Sequence, residues 1–255
     1  MTARPDPETP PDLTASELHS LAGLERVGDF EIVREIGRGS MGVVFEAIQR
    51  PLERRVALKV LYTEGKSDKA IERFRREAAA AGRLDHPGIV PVWAVGEAEG
   101  LLYYAMQLVE GPTLKELIHS GEPLDPARAA LIALRIAQAL DYAHREGIVH
   151  RDIKPANIIV TEGDRPVITD FGLAKVLALG QLTQAGAVLG TPTHLSPEQA
   201  RGETDIDHRA DIYGLGVCLY EMLTRRLPFE ADDLETLLRK ILRERPVPPR
   251  RRVPG

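Results

Sequence analysis

The groups in this chain best suited to chemistry lie in His150–Val160, which reads H-R-D-I-K-P-A-N-I-I-V. Asp152, Lys154 and Asn157 offer a carboxylate, a cation and an amide oxygen, the groups needed to orient a hydroxyl, neutralise a phosphate and hold a metal ion. Asp170-Phe171-Gly172 adds a second aspartate. With Asn157 it forms an oxygen donor set suited to a hard cation such as Mg²⁺, which prefers carboxylates and substrate phosphates. Far upstream, Lys59 is embedded in V-A-L-K-V. A lysine there is either solvated on an outer face or aimed inward at the phosphates of a ligand.

Phosphates also need donors without bulk. Gly37, Gly39 and Gly42 in G-R-G-S-M-G allow backbone amides to approach closely. A dinucleotide fingerprint would require a helix directly after these glycines, whereas Val43, Val44 and Phe45 favour strand. A phosphate-covering hairpin and an ordinary hairpin turn both fit the segment alone. Gly65-Lys66-Ser67 imitates the end of a Walker A loop, but Val60 stands where that motif requires glycine, which excludes it.

The elements that must position these groups can be read from periodicity. Phe30 begins a strand pattern that continues through the glycines, and Val56–Val60 reads as another strand. Asp68–Leu84 has a helical stripe at Ile71, Phe74, Ala78 and Ala81, with Glu77 at its edge and Glu72 pointing away. Strands are expected at Ile89–Val95 and Leu101–Leu108, with Gly96–Gly100 as the turn. Helices follow at Thr113–His119 and Pro126–Arg145, the second capped by Asp125. Ile148–Val149 and Ile158–Val160 read as short strands flanking the Asp152 loop, and Pro166–Thr169 as a strand delivering Asp170. Leu173–Leu195 has no clear period and reads as a long functional segment. Asp211–Leu223 and Ala231–Arg243 read as helices, the first strongly apolar. Residues 1–28 read as a proline-rich leader with one short helix near the Thr14–Glu17 capping box. The tail from Arg245 reads as a basic linker.

Composition limits the partners. The chain has 255 residues, 43% hydrophobic and 28% charged, with a net charge of −5. This argues for a globular fold and against nucleic acid as a partner. The apolar run Ala129–Ala143 contains Arg135, Gln138 and Asp141, so it reads as a buried helix that does not span a membrane. Cys218 is the only cysteine, which with the lack of a signal-peptide pattern favours a cytoplasmic location; an anchor elsewhere in a longer parent is compatible with this.

Together these motifs, in this order, resemble the catalytic domain of eukaryotic-like (Hanks-type) protein kinases, bacterial serine/threonine group, from about Asp29 to the C-terminus. The resemblance implies an α+β bilobal fold, with a small antiparallel sheet lobe plus one helix over 29–108. A larger, mainly helical lobe would cover 109–255. ATP would lie under Gly37, Gly39 and Gly42 with Val44 beneath the adenine, and Ile36, Arg38, Ser40 and Ala57 complete the nucleotide-binding set. Lys59 would hold the phosphates and pair with Glu77. Met106 would guard the back of the pocket, and the backbone of Gln107 and Val109 would bond the adenine edge. Asp152 would be the catalytic aspartate, Lys154 would steady the γ-phosphate, and Asn157 and Asp170 would ligate Mg²⁺.

The resemblance further implies that His150 stacks with Phe171 and that Asp211 braces the loop. Thr191 would contact Asp152 and Lys154. Arg151 would answer phosphorylation of the activation segment, with Thr183 as the leading site. Expected partners are protein substrates with Ser or Thr, and a kinase homodimer for autophosphorylation.

Three departures stand out. Gln107 replaces a common glutamate, and His194-Leu195 replace an aromatic and a methionine. The chain stops at Gly255, where the family continues into helices supplying an arginine partner for Glu198. Glu198 is therefore expected to be a buried, unpaired carboxylate, as in an incomplete catalytic domain. A pseudokinase or nucleotide-binding scaffold, a truncated kinase of little activity and a small-molecule phosphotransferase are the competing readings.

Overall fold

The computed structural model describes residues 21, 23–39, 42–50, 52–62, 67–171 and 193–253. Ser40, Gly172, Thr183, Thr191 and the Thr14–Glu17 capping box lie outside them.

A strand buried on both faces organises the first lobe. β1 (Arg26–Val27), β2 (Phe30–Gly39), β3 (Gly42–Gln49), β4 (Arg54–Leu61), β5 (Val92–Ala98) and β6 (Leu101–Gln107) form one antiparallel sheet in the order β1-β2-β3-β4-β6-β5. From Val56 onward every residue of β4 is buried. Strand alternation sends Val56, Leu58 and Val60 into an outer layer with Phe30, Val43 and Phe45. Ala57 and Leu61 join an inner layer with Phe74, Tyr104 and Met106. Lys59 shares the inner face by the same period of two. Gly42 is required by the close approach of β3 to β4, since an added Cβ would lie 2.1 Å from the Val60 carbonyl oxygen.

Helix α1 (Asp68–Ala81) covers the inner face with Phe74, Ala78 and Ala81, capped by Ser67, which accepts from the Ala70 N–H. It ends at Gly82, short of the Leu84 expected. The β5–β6 turn also differs from expectation. Only Glu99 and Gly100 turn, with φ of 55° and 78°, the pattern of a two-residue primed hairpin. β5 therefore runs through Gly96, whose role is close packing: a Cβ there would meet the Tyr103 hydroxyl at 2.6 Å.

The second lobe begins with α2 (Leu114–His119), held by a Thr113/Glu116 capping box. In α3 (Pro126–Arg145), Asp125 accepts from the Ala127 and Arg128 N–H groups. The chain then enters the Asp152 loop directly from the helix. Ile148 N–H bonds the Ala143 carbonyl at 2.9 Å and Gly147 adopts φ 74°, so Ile148–Val149 form a helix exit rather than the expected strand. A 3₁₀ turn (Pro155–Asn157) leads into the hairpin β7 (Ile158–Thr161) and β8 (Arg165–Ile168). Arg128 grips the Asp164 carboxylate at 2.8 Å, and Arg135 donates to the Gly163 and Asp164 carbonyls, tying the hairpin tip to α3.

Among the described residues four helices follow: α4 (Pro197–Ala200), α5 (Arg209–Thr224), α6 (Leu234–Arg243) and α7 (Pro249–Arg252). The lobes share one core that runs from Ala57 and Phe74 through Ile136 and Ile168 to Cys218 and Met222. The backbone crosses as well: Val90 N–H bonds the Ile168 carbonyl, and Ile168 N–H the Gly88 carbonyl, both at 2.9 Å.

Within the sheet, Glu46 of β3 bridges Arg55 of β4 at 2.6 Å and Arg34 of β2 at 2.8 Å. Hydrogen bonding from Arg55, assisted by both cations, holds its carboxyl below the usual glutamate range against the opposing effect of burial. A depressed folded-state pKa contributes stability above the unfolded value, about 4.3, and loses it as pH falls through the folded value. Glu46→Gln should therefore be less stable than wild type at pH 7, with the difference closing in acid. Denaturant midpoints measured from about pH 7 down to about pH 3 check this.

Candidate active site

The Asp152 loop is built around a buried acceptor. Asp211, in the first turn of α5, is fully buried. Its Oδ2 accepts the His150 N–H at 2.8 Å, and its Oδ1 the Arg151 N–H at 2.6 Å. His144 Nε2 lies 2.8 Å from Oδ2. Arg151 takes a left-handed φ of 64°, costly for a residue that carries a Cβ, and its carbonyl accepts from Gln199 Nε2 at 2.8 Å. Gly214 lets α5 pass beneath: an added Cβ would sit 2.8 Å from the Ile153 carbonyl oxygen.

His150 orients the aspartate two residues on. Its Nδ1 accepts the Asp152 N–H at 3.1 Å, so Nε2 carries the hydrogen donated to the Thr169 carbonyl at 2.9 Å. Its ring packs against Phe171, centroids 4.7 Å apart, as the resemblance implied. Asn157 Nδ2 donates to Asp152 Oδ2 at 3.0 Å and to the Asp152 carbonyl at 2.9 Å. Lys154 Nζ lies 2.9 Å from the same Oδ2. The two donors fix the Asp152 carboxylate, and Asn157 keeps its amide oxygen for another partner.

Across the cleft, sheet register aligns Val44, Lys59 and Tyr104 in one row, and Ala57 beside Met106 in another. Lys59 is buried, with Nζ 2.6 Å from Asp170 Oδ2. The Tyr104 hydroxyl donates to Asp170 Oδ1. Burial pushes the Asp170 carboxyl up, but the Lys59 charge and the bonds from Lys59 and Tyr104 outweigh it and hold the group below its ordinary range. Burial, followed by the Asp170 charge, raises the Tyr104 phenol well above its ordinary value.

The expected Lys59–Glu77 pair is not formed. Glu77 is half-buried at the edge of α1, where its Oε1 lies 3.2 Å from Arg73 and 3.8 Å from Arg151. Asp170, at φ 59°, aims a carboxylate at Lys59 from close range, while Arg73 stands one helical turn from Glu77.

Of the other residues named from sequence, Ile36 is exposed, and Gly37, Arg38 and Gly39 lie at the end of β2 facing Val44, Val43 and Gly42. Arg38 is engaged by Glu35 at 2.6 Å. The Gln107 N–H bonds the Pro91 carbonyl at 3.1 Å, so a bond from Gln107 to a base edge would use its carbonyl. Val109 is half-buried beside it.

His194 turns inward: Nε2 lies 3.2 Å from Oε2 of the buried Glu221, and Nδ1 lies 3.0 Å from the Thr193 hydroxyl. Glu198 is half-buried, not enclosed as expected, because α4 lies near the surface. Sequence reasoning missed Tyr104, His144, Gln199 and Glu221. Only Tyr104 carried a local signal, since alternation in L-L-Y-Y-A-M-Q puts it on the same face as Met106, the residue assigned to the back of the pocket.

Among the described residues no cluster of three or more His, Cys, Asp or Glu side chains could hold a metal by itself. A cation at Asn157 and Asp170 would therefore draw further ligands from phosphates and water, which is how Mg²⁺ is commonly bound. A shallow concavity of about 880 Å³ on the outer face of the sheet is lined by residues such as Glu31, Arg34, Arg38 and Arg50. Its charges are largely paired, Arg50 with Glu31 and Arg38 with Glu35, and the catalytic candidates lie elsewhere, in the cleft between the lobes.

Lysine and aspartate meeting across two lobes, beside a braced aspartate–lysine–asparagine loop, define a phosphotransferase-type site. Residues 30–251 match the protein kinase domain family. The chain is 44% identical over 230 residues to serine/threonine-protein kinase PknB of Mycolicibacterium smegmatis, covering 88% of this chain and 37% of the relative. It is 43% identical over 223 residues to PrkC of Bacillus subtilis, covering 87% and 34%. The kinase domain of Mycobacterium tuberculosis PknI superposes with a TM-score of 0.67 at 29% identity, covering 90% of this chain and 93% of that one. Rad53 in complex with AMP-PNP superposes with a TM-score of 0.69 at 28% identity, covering 84% and 53%. The chain belongs to the protein kinase domain family, as a Hanks-type domain of the bacterial serine/threonine group. It spans roughly a third of the length of these two curated relatives. Among the described residues no helix is long and apolar enough to cross a membrane.

Removing the Asp211 carboxylate would strand one buried and one partly buried backbone N–H group, each costing up to about 1–3 kcal/mol. Asp211→Ala should lose about 2–5 kcal/mol in urea unfolding, and Asp211→Asn, which keeps one acceptor, clearly less.

Proposed function

We propose that this domain transfers the γ-phosphate of ATP to Ser or Thr hydroxyls of proteins. The observation that carries the reading is the Asp152 carboxylate, held by Asn157 and Lys154 in the helical lobe, together with Asp170 of the same lobe paired to Lys59 of the sheet. Asp152 orients the accepting hydroxyl and takes its proton. The hydroxyl oxygen bonds the γ-phosphorus as the bond to the β–γ bridging oxygen breaks, and ADP leaves with that electron pair. Lys154 offsets the charge on the transferred group, and positioning and electrostatics supply most of the rate. Asn157 and Asp170 would hold Mg²⁺, which neutralises phosphate charge when bound.

In this reading Lys59 exchanges Asp170 for the α- and β-phosphates, and Glu77 moves from Arg73 and Arg151 toward Lys59. Ile36–Gly42, including Arg38 and Ser40, cover the phosphates, and Val44, Ala57, Met106, Gln107 and Val109 surround the base. The sheet lobe corresponds to 29–108 and the helical lobe to 109–255, and the leader over 1–28 is corrected at its end, where β1 (Arg26–Val27) joins the sheet as an edge strand and Leu21 packs into its outer layer. Phosphorylation of Thr183, answered by Arg151, orders the activation segment, and Thr191 supports Asp152 and Lys154. A homodimer would allow autophosphorylation in trans, and the reading puts the domain in the cytoplasm, where ATP is available.

The deciding assay compares wild type with Asp152→Asn, using ATP·Mg²⁺ and a generic protein substrate. The variant should lose transfer by about 10²–10⁴-fold. Equal transfer by both would overturn the assignment, and phosphate found on tyrosine alone would overturn the Ser/Thr specificity. Active protein unmodified at Thr183, with Thr183→Ala fully active, would remove the regulatory part alone.

A further inference from the structure

Asp170 presents two oxygens, and in this structure each has its own donor. Lys59 takes Oδ2 and Tyr104 takes Oδ1. The donors differ in freedom. Lys59 carries an ammonium on a flexible four-carbon stem. Tyr104 is fully buried, its ring 6.2 Å from that of Phe74 on α1 and 5.9 Å from Lys59 Nζ. Register places it directly opposite Lys59 on β6. A buried phenol needs a partner, and this one finds it on Asp170. Asp170 needs an external hold because its backbone is left-handed, at φ 59°, and it comes from the other lobe.

When Lys59 turns to phosphates, Oδ2 is released while Oδ1 stays bound to a group that cannot follow. We propose that Tyr104 is a positioning residue that anchors Asp170 Oδ1 while Oδ2 passes from Lys59 to a divalent cation. The inference rests on the reading of Asp170 as a metal ligand and adds a residue that the sheet contributes to that site.

The test is calorimetric titration of the chain with ADP, with and without MgCl₂, for wild type, Tyr104→Phe, Asp170→Asn and the double variant. Tyr104→Phe should bind metal-free ADP within about twofold of wild type, yet lose about tenfold of the Mg²⁺-dependent tightening, as expected for one lost charge-assisted bond. In the Asp170→Asn background the tyrosine substitution should change nothing further, because both act through one carboxylate. Tightening in Tyr104→Phe equal to or greater than wild type overturns the inference. So does a matching loss of metal-free ADP affinity, which would make Tyr104 a packing residue. Wild type without any Mg²⁺-dependent tightening would overturn the metal reading itself, and the inference with it, so the two failures are distinguishable.

Discussion

A single buried carboxylate sets the geometry of the catalytic loop. Asp211 is fully buried inside the helical lobe and needs donors there, and two of these are backbone N–H groups of the loop itself. The dependence runs both ways. His150 and Arg151 cannot take a regular ladder, because Arg151 adopts φ 64°. Their N–H groups would be orphaned without Asp211. Left-handed backbone costs on the order of 1–3 kcal/mol, and the Asp211 bonds and the Gln199 bond to the Arg151 carbonyl offset it. α5 must therefore pass close beneath the loop, which explains a glycine at 214.

The cleft is governed by charge neutrality across lobes. Lys59 comes from the centre of the sheet and Asp170 from the end of the β7–β8 hairpin, and each relieves the burial of the other. The same rule places Lys154 on Asp152 and Arg151 near Glu77. The site thus satisfies its charges internally. In the proposed reaction a polyanionic nucleotide replaces the carboxylate at Lys59, and a cation replaces the ammonium at Asp170. The Lys59–Asp170 pair is the contact that such an exchange must break, and its presence explains why Glu77 stands apart from Lys59.

Most element positions were legible in the sequence, because apolar period and cap chemistry are local. α3 begins where Asp125 and Pro126 place it, and Glu77 lies at the edge of the α1 stripe as the 100° rotation requires. The misses share a cause. Gly96 resembled a turn residue, yet it sits in a strand because the Tyr103 ring occupies the space a side chain would need. Ile148–Val149 resembled a strand, but Gly147 and the Ala143 carbonyl turn them into a helix exit. In both cases a contact outside the apolar pattern decided the outcome.

The sequence alone determined which groups the site contains, and its motif order determined the family. Asp152, Lys154, Asn157, Asp170 and Lys59 are set by residue type and by their places on loop or strand. Tertiary structure alone decided who pairs with whom. Lys59 meets Asp170 rather than Glu77, Tyr104 takes the second oxygen, and His194 turns in to Glu221. A buried ionic pair depends on distances of a few ångströms between segments far apart in the chain, and on which partner best offsets desolvation. No local pattern encodes that choice, because it is settled only when the lobes close on a common core.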